Sequence, residues 1–412
     1  MPGMGTAIFK LTIEDAGNGN FDVHADDAKD QAMRITLAVS PSITELITRL
    51  HDRGALGFLS FLAQEQACTT IGEFLFKNFF VGPVLQGYRD YRLRNHTEPR
   101  IALQLPPSLY YLPWEVLRDP QENYGQFLSV QGSVIRYDVQ SRPESTLYAD
   151  EQQSANYLFL VASTEERPIG PYEPEGHGFI NFLQVAPATY RNFGTRLTRS
   201  QPFALVFFGH GNLKQDQGYL IFSMEQWRRF RKIYVADPKA GYAVGNDLGA
   251  IKNLRIAYIF ACESAWATQV TSFDNSITGA ILQRSGLAYV VGAQTPIDFF
   301  AAQEFFESTL GALEDGFPLD LALSQGRRDV RSMDPNDAIR SVSYRDWWVP
   351  VLYARTTNFD VFPKKESIPV QRERPAESSG ESVGYFSALK NSAERLFHSD
   401  NESSKDIFKP RS

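Results

Sequence analysis

Two residues in the middle of the sequence, His210 and Cys262, are of types that could carry out nucleophilic chemistry together. A free thiol has a pKa of about 8.5 and is only slightly ionised at neutral pH, and a neighbouring imidazole increases its thiolate fraction. The thiolate would attack an amide carbonyl, and the histidine would then protonate the leaving amine. The pair therefore predicts cysteine-dependent hydrolysis of an amide bond.

The segments before these residues are apolar runs, 204–208 before Gly209-His210-Gly211 and 256–261 before Cys262. Such runs are typical of strands that are buried on both faces of a parallel sheet. Ligands bind where the carboxyl ends of parallel strands open into loops, so we expect the imidazole and the thiol at the same edge. A histidine about 50 residues before a cysteine is also the chain order of the caspase base and nucleophile.

Each residue also has an ordinary structural explanation. A cysteine at the end of a strand is often a small buried hydrophobe, and a histidine in a glycine-rich turn is often only a turn residue. The other cysteine, Cys68, lies in a helical pattern and is predicted to be structural. Two buried strands, the order and the spacing together favour catalysis for the His210–Cys262 pair.

Residues next to the pair are candidates for binding the substrate. The oxyanion that develops in amide hydrolysis needs preorganised N–H donors, and we predict the backbone N–H groups of Gly211 and Cys262 for this role. Asp298 and Glu263 are candidates for a substrate pocket, because one follows the strand after Cys262 and the other adjoins it. Two alternatives stay open: Asp298 could be the N-cap of the next helix, and Glu263 could simply face solvent.

The segments FFGHG and FACESA, which contain the pair, resemble the two signature blocks of the CHAT family, caspase-like cysteine peptidases related to caspases and separases. The resemblance covers roughly residues 100–360. It implies a caspase-like α/β fold with His210 as base and Cys262 as nucleophile. Phe207 and Phe208 occupy positions where smaller residues are common in the family. This departure affects packing and not the chemistry. Three further segments agree with the family: LPWEVLRD (112–119), GAILQRSGLAYVV (279–291) and DWWVPVLY (346–353).

The same resemblance implies a function and partners. Bacterial CHAT peptidases often act in defence or cell-death systems, where they cleave one dedicated protein such as a gasdermin-like pore former or another effector. The sequence lacks the tetratricopeptide repeats that some relatives carry, so a separate activating protein or regulator is expected. Two other classes are a catalytically silent caspase-like scaffold and a nucleotide-binding α/β module. The second would need a glycine-rich phosphate loop, which the sequence lacks.

Composition limits the class of protein. The 412 residues are 43% hydrophobic and 13% aromatic, enough for a sizeable core. A net charge of −7 argues against direct nucleic-acid binding, and the basic cluster at 228–232 is interpreted as a solvated face. No Cys/His pattern suggests a zinc site, so neither a metal nor a cofactor is expected. Two cysteines, no signal peptide and no apolar run of about 18 residues predict a cytoplasmic protein without a membrane span.

The order of predicted elements indicates an α/β fold, a mostly parallel caspase-like sheet flanked by helices, with an α+β region at the N-terminus. We predict three parts: the N-terminal α+β region 1–150, the peptidase domain 151–362 and a disordered tail 363–412 that could hold a docking helix. The segments 163–178 and 226–245 are predicted to be mobile loops beside the site.

Four local predictions can be compared directly with a structure. Turn residues at 17–20 predict an antiparallel hairpin in the first 40 residues. The LPWEVL segment predicts a short helix in which Trp114 is buried in the core. Residues 127–137 are predicted to form a pair of strands, and residues 246–254 a helix capped by Asn246 or Asp247.

Overall fold

A computed structural model describes residues 7–25, 31–51, 61–95, 98–121, 126–137, 157–164, 180–214, 217–228, 231–265, 273–333 and 343–362. The strands are β1 (Phe9–Gly17), β2 (Asn20–Ala25), β3 (Met33–Thr36), β4 (Arg100–Gln104), β5 (Ser133–Tyr137), β6 (Tyr157–Ser163), β7 (Ile180–Val185), β8 (Ala204–Lys214), β9 (Gln217–Arg228), β10 (Arg231–Ala240), β11 (Ile256–Ala261), β12 (Tyr289–Ala293) and β13 (Pro350–Ala354). The α-helices are α1 (Pro41–His51), α2 (Phe61–Phe79), α3 (Gly82–Arg94), α4 (Leu128–Gln131), α5 (Tyr190–Ser200), α6 (Gly241–Gly249), α7 (Ile277–Arg284), α8 (Phe299–Glu314) and α9 (Leu319–Ser332).

Within the described ranges, all of these strands belong to one sheet of 13 strands. Its central part has the order β7-β6-β8-β11-β12-β13-β5-β4-β1, and the neighbours there are parallel except for β12 and β13. The antiparallel strands β2 and β3 extend one side. On the other side, β9 pairs with the second half of β8, and β10 pairs with β9. The predicted fold class, a mostly parallel α/β sheet flanked by helices with an α+β region at the N-terminus, is confirmed.

The sheet has a hydrophobic core on each face. Side chains alternate along a strand, so Phe207 and Phe208 point to opposite faces of β8. Phe207 packs against Phe222 with the ring centroids 5.2 Å apart, in the core under α5, α6 and α7. Phe208 packs against Phe260 at 5.1 Å, in the larger core under α2, α3, α8 and α9. The two phenylalanines of the FFGHG segment therefore fill both cores.

Two local predictions agree with the structure. β1 and β2 pair in antiparallel register up to Gly17 and Asn20, so the turn residues do form a hairpin. Trp114 begins a 3-10 helix that ends at Val116, and its indole is buried with Nε1 donating a hydrogen bond to the carbonyl oxygen of Leu109 at 3.0 Å.

Three other predictions are wrong. The described residues within 226–245 are not a loop, because they form the end of β9, all of β10 and the start of α6. The helix predicted at 246–254 begins at Gly241. The two strands pair from Arg228 and Arg231 to Tyr219 and Ala240, and this backbone ladder forms without an alternating apolar pattern. Residues 127–137 contain the single-turn helix α4 before β5, and four residues are too few to show a helical period.

Several predictions fall outside the described residues. These are the tail 363–412 with its docking helix, most of the loop at 163–178 and part of the basic cluster at 228–232. The division of the chain at residues 150 and 362 stays a prediction, and the sheet itself continues across residue 150 from β5 to β13. In the part of the chain that can be described, no helix is long and apolar enough to cross a membrane.

Candidate active site

The register of two neighbouring strands brings His210 and Cys262 together. β8 and β11 are parallel, and their pairing runs from Ala204 and Ile256 to Gly209 and Ala261. The next residue on β8 is His210, and the next residue after β11 is Cys262. Adjacent strands lie about 4.8 Å apart, so the backbones at these two positions are direct neighbours at the carboxyl edge of the sheet.

β8 changes partners at His210. Up to Gly209 it lies between β6 and β11 in the parallel sheet, and from His210 onward it pairs with β9 in antiparallel orientation. A Cβ on Gly209 would come within 2.9 Å of Oγ1 of Thr164. There is thus no room for a side chain at the point where β8 changes its pairing partner. His210 is exposed beyond this point, where the imidazole is accessible to a substrate.

The two cysteines have different surroundings. Cys262 is partly accessible at the end of β11. Cys68 on α2 is only 1% exposed, and burial raises the pKa of its thiol well above the ordinary value. A buried thiol in apolar surroundings is inert, so Cys68 is a core residue, as predicted.

Gly211 packs directly on the backbone of Cys262. A Cβ built on Gly211 would lie 2.2 Å from the carbonyl oxygen of Cys262 and 3.3 Å from Cδ1 of Ile277. No side chain fits at that distance, so the position requires glycine for a steric reason. This contact places the backbone of Gly211 beside the candidate nucleophile. Its predicted role as an oxyanion donor, together with the N–H of Cys262, stays a prediction.

We expect Gly211→Ala to destabilise the fold by about 1–3 kcal/mol and to slow alkylation of Cys262, because the added methyl group must push two backbones apart. The measurement is urea unfolding combined with the rate of reaction with iodoacetamide. Gly194→Ala is a matched control, since a Cβ at Gly194 on α5 meets no atom within 4 Å. That control should be stabilising by up to about 1 kcal/mol. Wild-type stability in Gly211→Ala would contradict the close contact.

A tight turn follows the candidate nucleophile. Glu263 has a φ of +58°, in the left-handed region that non-glycine residues rarely adopt. Ser264 holds this turn in place: its hydroxyl donates to the carbonyl oxygen of Ile259 at 2.8 Å and accepts from the N–H of Ala293 at 2.8 Å. The N–H of Ala265 donates to the carbonyl oxygen of Ala293 at 2.8 Å. The end of β12 therefore fixes the position of Cys262. The serine in FACESA is the one sequence signal for this arrangement.

The two acidic pocket candidates lie close to the same edge. The N–H of Glu263 donates to the carbonyl oxygen of Thr295 at 3.4 Å, and partial burial raises the pKa of its carboxyl group. Asp298 is the N-cap of α8, and its Oδ1 accepts from the N–H groups of Phe300 at 2.9 Å and Ala301 at 3.4 Å. The capping alternative for Asp298 is therefore confirmed, while a pocket role for either residue stays a prediction.

A buried ionic cluster supports the turn from behind. Glu115 and Arg136 are at most 1% exposed and form a two-point ion pair, with Arg136 Nη2 2.7 Å from Oε2 and Nε 3.2 Å from Oε1. The amide of Gln294 donates to Glu115 Oε2 at 3.0 Å and to the carbonyl oxygen of Trp348 at 2.9 Å. Gln294 lies between Ala293 and Thr295, whose backbone groups form hydrogen bonds with the turn that follows Cys262. The cluster therefore stabilises the segment that positions this turn. We call Glu115, Arg136 and Gln294 the ionic cluster.

The electrostatics of the ionic cluster are those of a paired, buried charge. Burial by itself would lower the pKa of the Arg136 guanidinium, but the Glu115 carboxylate beside it raises the pKa above the ordinary value. Burial, assisted by the charge of Arg136, lowers the pKa of His51 to about 4, so His51 is neutral at pH 7. Glu115 belongs to the LPWE block, but nothing in the sequence pointed to Arg136 or Gln294 as its partners.

His210 is exposed, Cys262 is partly accessible, and their backbones are neighbours. An imidazole within hydrogen-bond distance of a thiol can draw off its proton and later return it to a leaving group. Neither step requires a metal ion. Within the ranges given above, no group of three or more His, Cys, Asp or Glu residues is placed to hold one.

Comparison with known proteins shows the family of the chain and a similar fold. The profile of the CHAT domain family matches residues 72–356. No curated protein sequence matches the chain significantly.

Two solved structures of the separase–securin complex of Saccharomyces cerevisiae are similar to the chain. One, at 2.6 Å, has a TM-score of 0.50 and 11% identity. The other, at 3.0 Å, has a TM-score of 0.48 and 12% identity. Both matches cover 84% of this chain but only 30% of the other chain. At such identity the likeness concerns the fold alone.

Proposed function

The chain belongs to the CHAT domain family, and from this premise we propose that it is a cysteine endopeptidase with Cys262 as nucleophile and His210 as general base. The observation that supports the proposal is the register of β8 and β11, which ends at Gly209 and Ala261, directly before His210 and Cys262. The exposure of the imidazole and the partial accessibility of the thiol support it further. A silent scaffold would have no need of either property.

The proposed reaction follows from these groups. His210 accepts the proton of Cys262, and the sulfur attacks the substrate carbonyl carbon, so that a C–S bond forms and the electron pair of the C=O bond moves to oxygen. The N–H groups of Gly211 and Cys262 would stabilise this oxyanion, and losing one such donor typically costs about 3–4 kcal/mol. The imidazolium then protonates the leaving amine as the C–N bond breaks. Water, activated by the same histidine, hydrolyses the thioester.

For the substrate we propose one dedicated protein, and for regulation a separate activating protein. Yeast separase is crystallised in complex with securin, a protein partner, and this offers a precedent for protein partners on a related fold. A bacterial defence or cell-death system is the proposed setting, with a gasdermin-like protein or another effector as the target. This part of the proposal is supported only by the resemblance of the FFGHG and FACESA segments.

The direct test is covalent labelling with a peptidyl chloromethyl ketone followed by mass spectrometry. We expect modification of Cys262 and none of Cys68, because Cys262 is partly accessible whereas Cys68 is buried, and the proposed base His210 would activate only Cys262. His210→Ala should slow the labelling at pH 7 by at least about tenfold, since less thiolate forms without the base. Cys68 is an internal control in the same molecule. Equal labelling of both cysteines, or an unchanged rate in His210→Ala, would contradict the peptidase and favour the scaffold.

A further inference from the structure

Phe299 is a large aromatic side chain that stays 42% exposed at the carboxyl edge of the sheet. A single exposed phenylalanine is common on protein surfaces and needs no explanation by itself. Its position is what matters here. Phe299 is the first residue of α8, and its ring centroid lies 6.0 Å from that of Phe208.

Phe208 connects Phe299 to the candidate active site. Phe208 precedes His210 by two residues on β8, and Phe260 lies two residues before Cys262, which directly follows β11. Side chains two residues apart in a strand share a face and are separated by about 6.6 Å, so Phe208 and His210 are on the same side of the sheet. The rings of Phe208 and Phe260 stack at 5.1 Å, and both are at most 3% exposed.

Phe208, Phe260 and Phe299 therefore form an aromatic layer on this face of the sheet, and Phe299 is the ring in it that solvent and substrate can reach. The acidic residue adjoining it, Asp298, directs its carboxylate to the N–H groups of Phe300 and Ala301 at the start of α8. That carboxylate is stabilised by the helix N-terminus, which weakens its attraction for a substrate cation. The exposed side chain that the start of α8 offers on this side is thus the apolar ring of Phe299.

Resting on the proposed peptidase activity, we propose that Phe299 is a specificity-determining residue that receives a large apolar substrate side chain next to the scissile bond. Leucine, methionine and phenylalanine fit this chemistry, because each buries apolar area against the ring and thioether and aromatic groups also contact rings favourably. Aspartate and lysine do not, since each would lose hydration without gaining a partner.

The test measures the second-order rate of Cys262 alkylation by peptidyl chloromethyl ketones that differ only in the residue next to the ketone. Leucine, phenylalanine, alanine, aspartate and lysine are compared on the full chain. We expect the leucine and phenylalanine reagents to react at least about tenfold faster than the aspartate and lysine reagents. Phe299→Ala should slow the two large apolar reagents by about 10–100-fold and the alanine reagent by less than about threefold. Phe299→Leu should restore most of the rate for the leucine reagent.

Phe317→Ala is the matched control, because Phe317 is 40% exposed and lies just after the opposite end of α8. It should leave all five rates unchanged. A preference for a charged reagent, or an equal loss for all reagents in Phe299→Ala, would overturn the subsite while leaving the peptidase in place. No alkylation of Cys262 by any reagent would overturn the peptidase, and the subsite with it.

Discussion

Cys262→Ala is expected to abolish peptide hydrolysis, with a loss of at least about 1,000-fold in kcat/KM, because the proposed covalent intermediate forms on this sulfur. His210→Ala should lose activity to a similar extent, since the thiol then lacks both a base and a proton donor for the leaving amine. Neither substitution creates a steric conflict, because each removes atoms at an accessible position. The measurement is hydrolysis of fluorogenic peptides, with urea unfolding to verify that each variant is folded.

The double variant provides the sharper comparison. Residues that act as one catalytic unit are strongly non-additive, so His210→Ala combined with Cys262→Ala should be no worse than either single change. Cys68→Ala is the control, because it removes the other cysteine from the α2 core and should lower stability without changing kcat in the folded protein. Additive losses in the double variant, or residual activity above 10% in Cys262→Ala, would contradict the proposed pair (a threshold of roughly 1.4 kcal/mol).

Glu115→Gln is expected to destabilise the protein by about 3–5 kcal/mol, because it leaves the Arg136 guanidinium buried with its charge uncompensated. Glu115 and Arg136 are 0% and 1% exposed, so water cannot replace the missing partner. The change is nearly isosteric, which separates the loss of charge from the loss of packing. Equilibrium urea unfolding measures the difference.

A surface pair provides the control for this prediction. Asp22 and Arg34 also form a two-point ion pair, at 2.8 Å for each contact, but the Arg34 side chain is 67% exposed. Asp22→Asn should change the stability only slightly, because water solvates Arg34 when the partner is lost. Replacing Glu115 and Arg136 together by leucine and methionine should recover most of the lost stability. If Glu115→Gln were as mild as Asp22→Asn, the ionic cluster would not be a desolvated pair.

The ionic cluster should also influence chemistry. Gln294 connects Glu115 to the strand end that holds Ser264 and the turn of Cys262. Folded Glu115→Gln protein is therefore expected to react more slowly at Cys262 than the wild type, whereas Asp22→Asn should react normally. The same labelling reaction that tests the peptidase measures this effect.

Much about this protein could be predicted from local sequence. The apolar runs before His210 and Cys262 predicted two buried parallel strands, and the structure contains them as β8 and β11. Turn residues predicted the first hairpin, and the LPWE block predicted a short helix with Trp114 in the core. These predictions succeed because an element's type is encoded by residues within a few positions of each other.

Only the tertiary structure decided how those elements meet. Three features join segments that are far apart in sequence. They are the strand register that ends at Gly209 and Ala261, the contact of Gly211 with the Cys262 carbonyl, and the packing of the Phe299 ring. Glu115 and Gln294 are separated by 179 residues, and no local period or turn signal links them. Long-range contacts depend on which face each strand presents and which helix covers it. The sequence alone contains the residue types that this chemistry needs, and only the packing of β8 against β11 makes the backbones of His210 and Cys262 neighbours.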